Sequence, residues 1–414
     1  METSPPAPTT PLSDEWCARN FDHLAPEFAE NMHGTLAAMR AEHPVTWSEQ
    51  HGGFWVVTRH EDVLRVAQDW RTFSSAHGVS VPHTESTVPA IPEHVDPPLH
   101  REYRRIINPY FTPQAVAQYE PAARDLITRL IDGFIEAGEC EFMADFASPF
   151  PGLSFFDLVL DAPADEARAL NEVTMQATNP RNPDRGAAWK QLNDWVAEFA
   201  AGRRREPRRG DVVDAILHAD IEGRPITDTE VVGMIQLLIL GGLDTTAGAL
   251  GHFMLRFLDE PDIPARLRAE PETVPAAVEE LLRLDGSFVA IARTAMADTE
   301  IGGQAIAKGD KVLIAWASAN RDEAEFSCPH AYMPERERNR HLGFGAGPHR
   351  CAGSHLARMN LRLAVGELVR RLEDVRLQDG AEVPLHSAFN RLPLAVPIRF
   401  RPGPRVSSAV PASA

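Results

Sequence analysis

The stretch His341-Leu-Gly-Phe-Gly-Ala-Gly-Pro-His349-Arg-Cys351-Ala-Gly353 decides how the rest of the chain is read. Three glycines alternate with other residues, a proline and a cysteine follow, and the spacing predicts a helix from Ser354. Glycine at this density permits positive φ and lets the backbone come close to a flat or bulky group. A cysteine just ahead of a helix start sits at the positive end of the helix dipole, among backbone N–H donors. Both features favour thiolate over thiol. Such a thiolate is a ligand for a soft metal or haem iron, or a nucleophile. The bland alternative is a small buried core cysteine, the usual fate of an isolated thiol. Zinc fits poorly, because no second cysteine lies at ligand spacing. His341 and His349 are conceivable ligands, but a lone cysteine suits an axial haem bond better.

Three segments upstream carry further chemistry. Leu238-Ile-Leu-Gly241-Gly242-Leu-Asp244-Thr245-Thr246 places two glycines inside an apolar helical run. They cost helix stability and permit a kink or a close neighbour. The Thr245 hydroxyl can bond back to the carbonyl of Gly241 and open the helix ladder. Taken alone, packing against glycine is the simpler reading. Glu280-Leu-Leu-Arg283 sets an acid and a base three apart, by itself a common helix-surface pair. Asp96-Pro-Pro-Leu-His100-Arg-Glu-Tyr-Arg104-Arg105 puts His100 and Arg104 on one helix face. Paired donors of this kind suit a carboxylate, although on spacing alone a solvated basic face is the commoner outcome.

The 414 residues hold 41 Lys+Arg against 59 Asp+Glu, a formal charge of −18, with 43% hydrophobic and 24% charged residues. That is ordinary globular usage, which excludes disorder over most of the length. The acidic balance argues against a nucleic-acid surface covering the molecule. Cys17, Cys140, Cys328 and Cys351 are widely spaced and too few for a disulfide framework. The start METSPPAPTTPLSDEW lacks the basic and apolar stretches of a signal peptide. The longest apolar run, Val231 to Leu243, has 13 residues and contains Gln236, short of a membrane span. The expectation is a soluble protein of a reducing, cytoplasmic compartment.

Periodicity predicts helices over Tyr103–Phe111, Pro121–Ala137, a run from Val231 behind the capping cluster Thr227-Asp228-Thr229-Glu230, Pro275–Leu284 and Ser354–Leu372. Short strands are expected at Val45–Trp47, Gly53–Thr58, Thr299–Ile301 and Lys311–Ile314. His77–Pro98 and Asn179–Gly186, which holds Pro180 and Pro183, read as loops. The fold class is mainly α with small β-sheets (α+β), as one large domain over 15–401. Tails 1–14, with Pro5, Pro6, Pro8 and Pro11, and 402–414 are expected to be flexible. Five arginines in Arg203–Arg209 read as a solvated face, with a phosphate or membrane site as the alternative.

Together these residues resemble the cytochrome P-450 family, closest to its soluble bacterial members, over roughly Val45 to Phe400. Phe344, Gly347, Cys351 and Gly353 match the family's haem-loop spacing Phe-x-x-Gly-x-x-x-Cys-x-Gly. The resemblance implies that fold, with heme b (iron protoporphyrin IX) buried between the family's I and L helices and Cys351 as its iron ligand. It implies that Glu280, Arg283 and Arg336 form a structural charge network behind the loop. It implies that Asp244 and Thr245 are the acid–alcohol pair serving the dioxygen site, with Thr246 a less suitable substitute. His100, Arg104, Arg293 and His349 would hold the two propionates. Met333 stands where an aromatic is common, and Ala352 where Leu is frequent; both are packing changes.

The implied activity is a monooxygenase that takes O2, two protons and two electrons and hydroxylates a substrate. No flavin or iron–sulfur segment is present, so a separate ferredoxin-type donor is expected, docking near Arg71, Arg104 and Arg350. The pocket would be walled by Val88, Leu237, Leu240, Gly241, Val289, Ile291 and Asn390. These are mostly apolar, suiting a terpenoid, steroid-like or other lipophilic metabolite. His83, Glu85 and Asn390 could bind a polar group but more simply face water. Related chemistry (desaturation, C–C cleavage, peroxide-driven oxidation) and a non-enzymatic haem sensor or carrier are the alternatives. Neither nucleic acid nor a membrane is expected as a partner.

Overall fold

A computed structural model describes residues 12–83, 88–162, 166–179 and 182–406, save the side chain of Arg168. Pro5, Pro6, Pro8, Pro11, Glu85, Pro180 and the tail beyond 406 therefore lie outside the described residues. The organising element is the helix Asp228–Asp259, 32 residues long. It starts where the capping cluster predicts. The Thr227 hydroxyl accepts from the Glu230 amide at 3.3 Å, and the Thr227 amide donates to Glu230 Oε2 at 2.7 Å. Glu230 is tied in further by the Tyr103 hydroxyl (2.5 Å) and Arg224 (2.6 Å). By length and composition this helix could cross a membrane, yet 67% of its most apolar window is buried inside the protein. It is a core helix: Val231, Ile235, Ile239, Leu243, Leu250 and Phe253 join the largest apolar cluster.

Helices Leu99–Ile107, Glu120–Phe134, Val274–Asp285 and Ser354–Arg371 agree with the periodicity to within a few residues. A five-stranded sheet stands beside them, in the order Val45–Ser48, Phe54–Val57, Lys311–Ala315, Ala290–Ala295, Phe73–Ser74. Lys311–Ala315 runs parallel to Phe54–Val57 and antiparallel to Ala290–Ala295. Ala290–Ala295 has no signal in the sequence because all six residues are buried, and a strand covered on both faces shows no alternation.

At the ends, Ser13 caps the helix Asp14–Arg19, and Arg371 bonds to the Pro404 carbonyl at 3.1 Å. The arginine run departs from a plain solvated face. Arg203 is buried and pairs with Asp211 (2.6 Å), Asp214 (3.3 Å) and the Leu160 carbonyl (3.1 Å). Arg209 pairs with Asp161 and Glu206.

Candidate active site

The glycine-rich loop folds back on itself: the Cys351 amide donates to the Phe344 carbonyl at 2.9 Å. Gly345 and Gly347 have φ of +67° and +69°, a region costly for any other residue. A Cβ on Gly347 would also lie 2.3 Å from the Ala67 carbonyl oxygen, so the loop rests directly on the end of helix His60–Gln68. The helix Ser354–Arg371 then begins immediately behind Cys351.

Behind the loop, Glu280 and Arg283 are fully buried and form a two-pronged pair at 2.9 and 2.7 Å. Arg336 Nε (2.9 Å), the Met333 amide (3.0 Å) and Asn339 (3.1 Å) complete the shell of Glu280. Arg283 spends its remaining donors on the carbonyls of Asn320, Pro329 and Ala331. The Asn320 side chain in turn accepts from the Leu342 amide at 2.6 Å, at the loop's root. A buried ion pair this fully hydrogen-bonded is a rigid brace. Arg358 stacks over the Phe344 ring at 4.3 Å.

A hollow of about 290 Å³ lies between the long helix and Ser354–Arg371. Cys351 borders it, as do Phe344, His100, Arg104, Arg293 and His349. The Cys351 side chain is open to this hollow yet lies deep in the protein. Burial pushes its thiol up, opposed by the Gly353 amide and by Arg104, Arg350 and Arg358.

The four propionate candidates converge on the same hollow, and among the described residues none forms a salt bridge, although Glu93 and Asp96 act on Arg293 from nearby. Neither ring nitrogen of His100 has a partner, nor does His349 Nδ1. Their rings are 4.4 Å apart. Burial, then Arg104, pulls His100 down to about 4; burial, then Arg293, pulls His349 down to about 2. His349 Nε2 is steadied by Ser75 Oγ at 3.0 Å, and Ser75 by Asp96 at 3.1 Å. Arg293 is buried and, among the described residues, has the Ala292 carbonyl (2.8 Å) as its one acceptor, and burial lowers it to about 10. Arg104 donates to the Arg350 carbonyl (3.0 Å) and to Asn108 (3.0 Å). Orphaned buried donors around a hollow need anions, and a flat macrocycle with two carboxylates and a thiolate ligand supplies them. The residues fit a haem.

A second hollow, about 720 Å³, shares Glu93, Leu237, Gly241, Thr245, Phe288 and Ile291 with the first. Asp244 borders only this one, Thr246 only the first, and Thr245 both. The Thr245 hydroxyl bonds to the Gly241 carbonyl at 3.0 Å, as its spacing predicts. The two glycines divide their duties. A Cβ on Gly241 would meet nothing within 4 Å, whereas one on Gly242 would strike the Phe155 ring at 2.7 Å. Val88, Leu237, Leu240, Gly241, Ile291 and Asn390 line the larger hollow; Val289 does not. Val289 precedes the strand, donates to the Phe389 carbonyl and is buried among Phe28, Leu36 and Phe54. Phe288 takes its place on the wall. His83 is exposed. His94, at the end of the His77–His94 loop that the resemblance puts on the wall, lines it, as do Gln236 and Trp189, which had no signal in the sequence because isolated core-facing side chains carry no period.

The family model described as cytochrome P450 matches residues 177–389. The chain is 31% identical to linalool 8-monooxygenase of Pseudomonas putida over 83% of its own length and 90% of that protein's. It is 34% identical to nocardicin C N-oxygenase of Nocardia uniformis, covering 90% of this chain and 96% of that one. The crystal structure of a cytochrome P450 from Chondromyces apiculatus superposes with a TM-score of 0.82 at 30% identity, over 94% and 99% of the two chains.

Proposed function

The chain belongs to the cytochrome P450 family, among its bacterial members, as a monooxygenase that binds heme b through a cysteine thiolate, and from that premise we propose that it hydroxylates a lipophilic small molecule with electrons from a separate ferredoxin. One observation carries the reading. The largely apolar hollow of about 720 Å³ meets the cysteine-bordered hollow at Gly241 and Thr245, with Asp244 beside them. Its size and its walls (Val79, Val88, Leu240, Leu392) suit a terpenoid, steroid-like or comparable metabolite.

Bound in the smaller hollow, heme b supplies the iron chemistry that activates dioxygen and places one oxygen atom into a C–H bond. Cys351 would be its thiolate ligand: the iron would favour the deprotonated form, and the Gly353 amide favours it too, against the burial that pushes the thiol up. His100, Arg104, Arg293 and His349 hold the two carboxylates and so fix the ring's orientation. Asp244, raised by burial to about 7, holds or releases a proton near neutrality. Thr245, once freed from the Gly241 carbonyl, offers a hydroxyl that passes that proton onward. The apolar wall excludes water and lets the substrate displace what remains.

The test is the absorption spectrum of the reduced protein under carbon monoxide. Wild type should show the strongly red-shifted Soret band of thiolate-ligated haem, and Cys351→Ser should lose it. A histidine-type band in wild type, or no electron consumption on adding any bound lipophilic compound, removes the reading.

A further inference from the structure

The larger hollow is lined by a hydrogen-bond donor whose direction the backbone fixes. His94 forms a closed turn with Ala90: its amide donates to the Ala90 carbonyl at 2.8 Å, and its Nδ1 accepts from the Ala90 amide at 3.4 Å. A ring nitrogen that accepts an amide proton carries none, so the neutral ring holds its proton on Nε2. Burial, the strongest influence on this histidine, keeps the ring neutral. Among the described residues nothing partners Nε2, and His94 borders the substrate hollow but not the haem hollow.

The turn is not free to swing away. The Ile91 amide bonds to the Gly233 carbonyl on the long helix at 3.3 Å. A Cβ on Gly233 would sit 2.3 Å from the Pro89 carbonyl oxygen, so the segment bearing His94 is seated on bare helix backbone. Three residues along that helix is Gln236, 1% exposed, bordering the same hollow, with its Oε1 unpartnered. Gln236 stands eight residues before Asp244, about 12 Å along the axis at 1.5 Å per residue. Gln236 is therefore remote from Asp244 along the helix, while His94 lies on the side of the hollow nearer Arg293 and His349.

We propose that His94 is a specificity-determining residue that donates its Nε2–H to a carbonyl oxygen of the substrate, while the unpartnered Gln236 Oε1 can accept only from a donor group elsewhere on it. The substrate is then an oxygenated molecule (a ketone, lactone, ester or amide) held by that oxygen and oxidised at another, apolar position. This inference rests on the monooxygenase reading above and narrows its substrate class. A neutral donor in a buried wall favours an uncharged acceptor: leaving the N–H unpaired against a hydrocarbon costs a desolvated donor.

The experiment uses haem-loaded protein and matched pairs of macrocyclic and polycyclic ketones with their deoxo hydrocarbons, measuring dissociation constants by equilibrium dialysis. Wild type should bind at least one ketone roughly tenfold more tightly than its hydrocarbon, about one hydrogen bond's worth. His94→Phe should abolish that preference while leaving hydrocarbon affinity within about twofold, and His94→Gln, which restores a donor, should recover part of it. The carbon monoxide spectrum of each variant reports whether the haem site is intact, so its loss signals failure of folding or of the haem reading itself. Should His94→Phe fail to load haem, His94→Leu and the wild-type pairs decide. Equal binding of ketone and hydrocarbon by wild type, no ketone bound at all, or equal weakening of both by the variant overturns the proposal.

Discussion

A carboxyl group set among apolar neighbours resists ionisation, and burial alone holds Asp244 at about 7. The unfolded chain loses that proton near its ordinary value of 3.8, so between about pH 4 and 7 the folded protein binds a proton the unfolded one has released. Stability therefore falls as pH rises through this window, and the full penalty is present above it. Asp244→Asn should raise the melting temperature of the holoprotein by a few degrees at about pH 8 and hardly at all at about pH 4. Calorimetry at the two values checks the sign. Its neighbour is predicted from a different observable. Thr245→Ala removes the hydroxyl now bonded to the Gly241 carbonyl, and should raise the peroxide released per electron consumed several-fold. Unchanged coupling with a tightly bound substrate would remove Thr245 from the proton path. Spacing made the Thr245 bond to the carbonyl four residues back legible, whereas the pairing of Asp244 with Thr245 came from the family resemblance. That resemblance misplaced Val289: the strand starts one residue later, at Ala290, and the neighbouring side chain, Phe288, faces the cavity.

At the scale of elements, the loop around Cys351 is held from behind by Glu280, Arg283 and Arg336. Glu280 accepts five hydrogen bonds from four residues, and its removal would strand two guanidinium groups, one of them fully buried. Breaking one partner of a buried ion pair costs about 3–5 kcal/mol. Glu280→Gln should accordingly lower the yield of folded protein and its haem-to-protein ratio, read as absorbance of haem against protein. Retention of full haem content would mean that the brace is dispensable. The spacing of Glu280 and Arg283 announced the pair, but only the fold reveals that Asn320 hands the brace on to the loop through the Leu342 amide. Arg203 teaches the same lesson from the other side. Five arginines in seven residues look solvated, yet a partner at Asp211, another at Asp214 and a carbonyl at Leu160 together bury one of them. Three-body geometry of that kind has no linear signature.

The whole molecule carries a net charge of −18, against which the cysteine side stands out. Arg71 and Arg350 are both exposed, and the contact of Gly347 with the Ala67 carbonyl brings their two segments together. A small acidic redox protein would be steered to this side despite the overall repulsion. Reversing both charges, Arg71→Glu with Arg350→Glu, should slow ferredoxin-driven reduction by roughly tenfold or more at low salt and flatten its salt dependence. Stopped-flow reduction measures both. Fold class, helix positions and the cysteine loop were open to reading because they rest on local rules: caps, periodicity, glycine density. The buried strand, the His94 turn and the cavity walls depend on which segments meet, and single-chain pattern does not encode that. One helix, Asp228–Asp259, forms a wall of both hollows, with Gln236 and Leu240 facing one and Thr246 and Ala249 the other. Substrate range and oxygen economy are thus written on the same rigid rod. Laboratory evolution toward a bulkier substrate that tilts this helix will pay in wasted reductant, whereas side-chain changes at Val88 or Asn390, which border only the larger hollow, reshape its wall away from the helix's haem-side face.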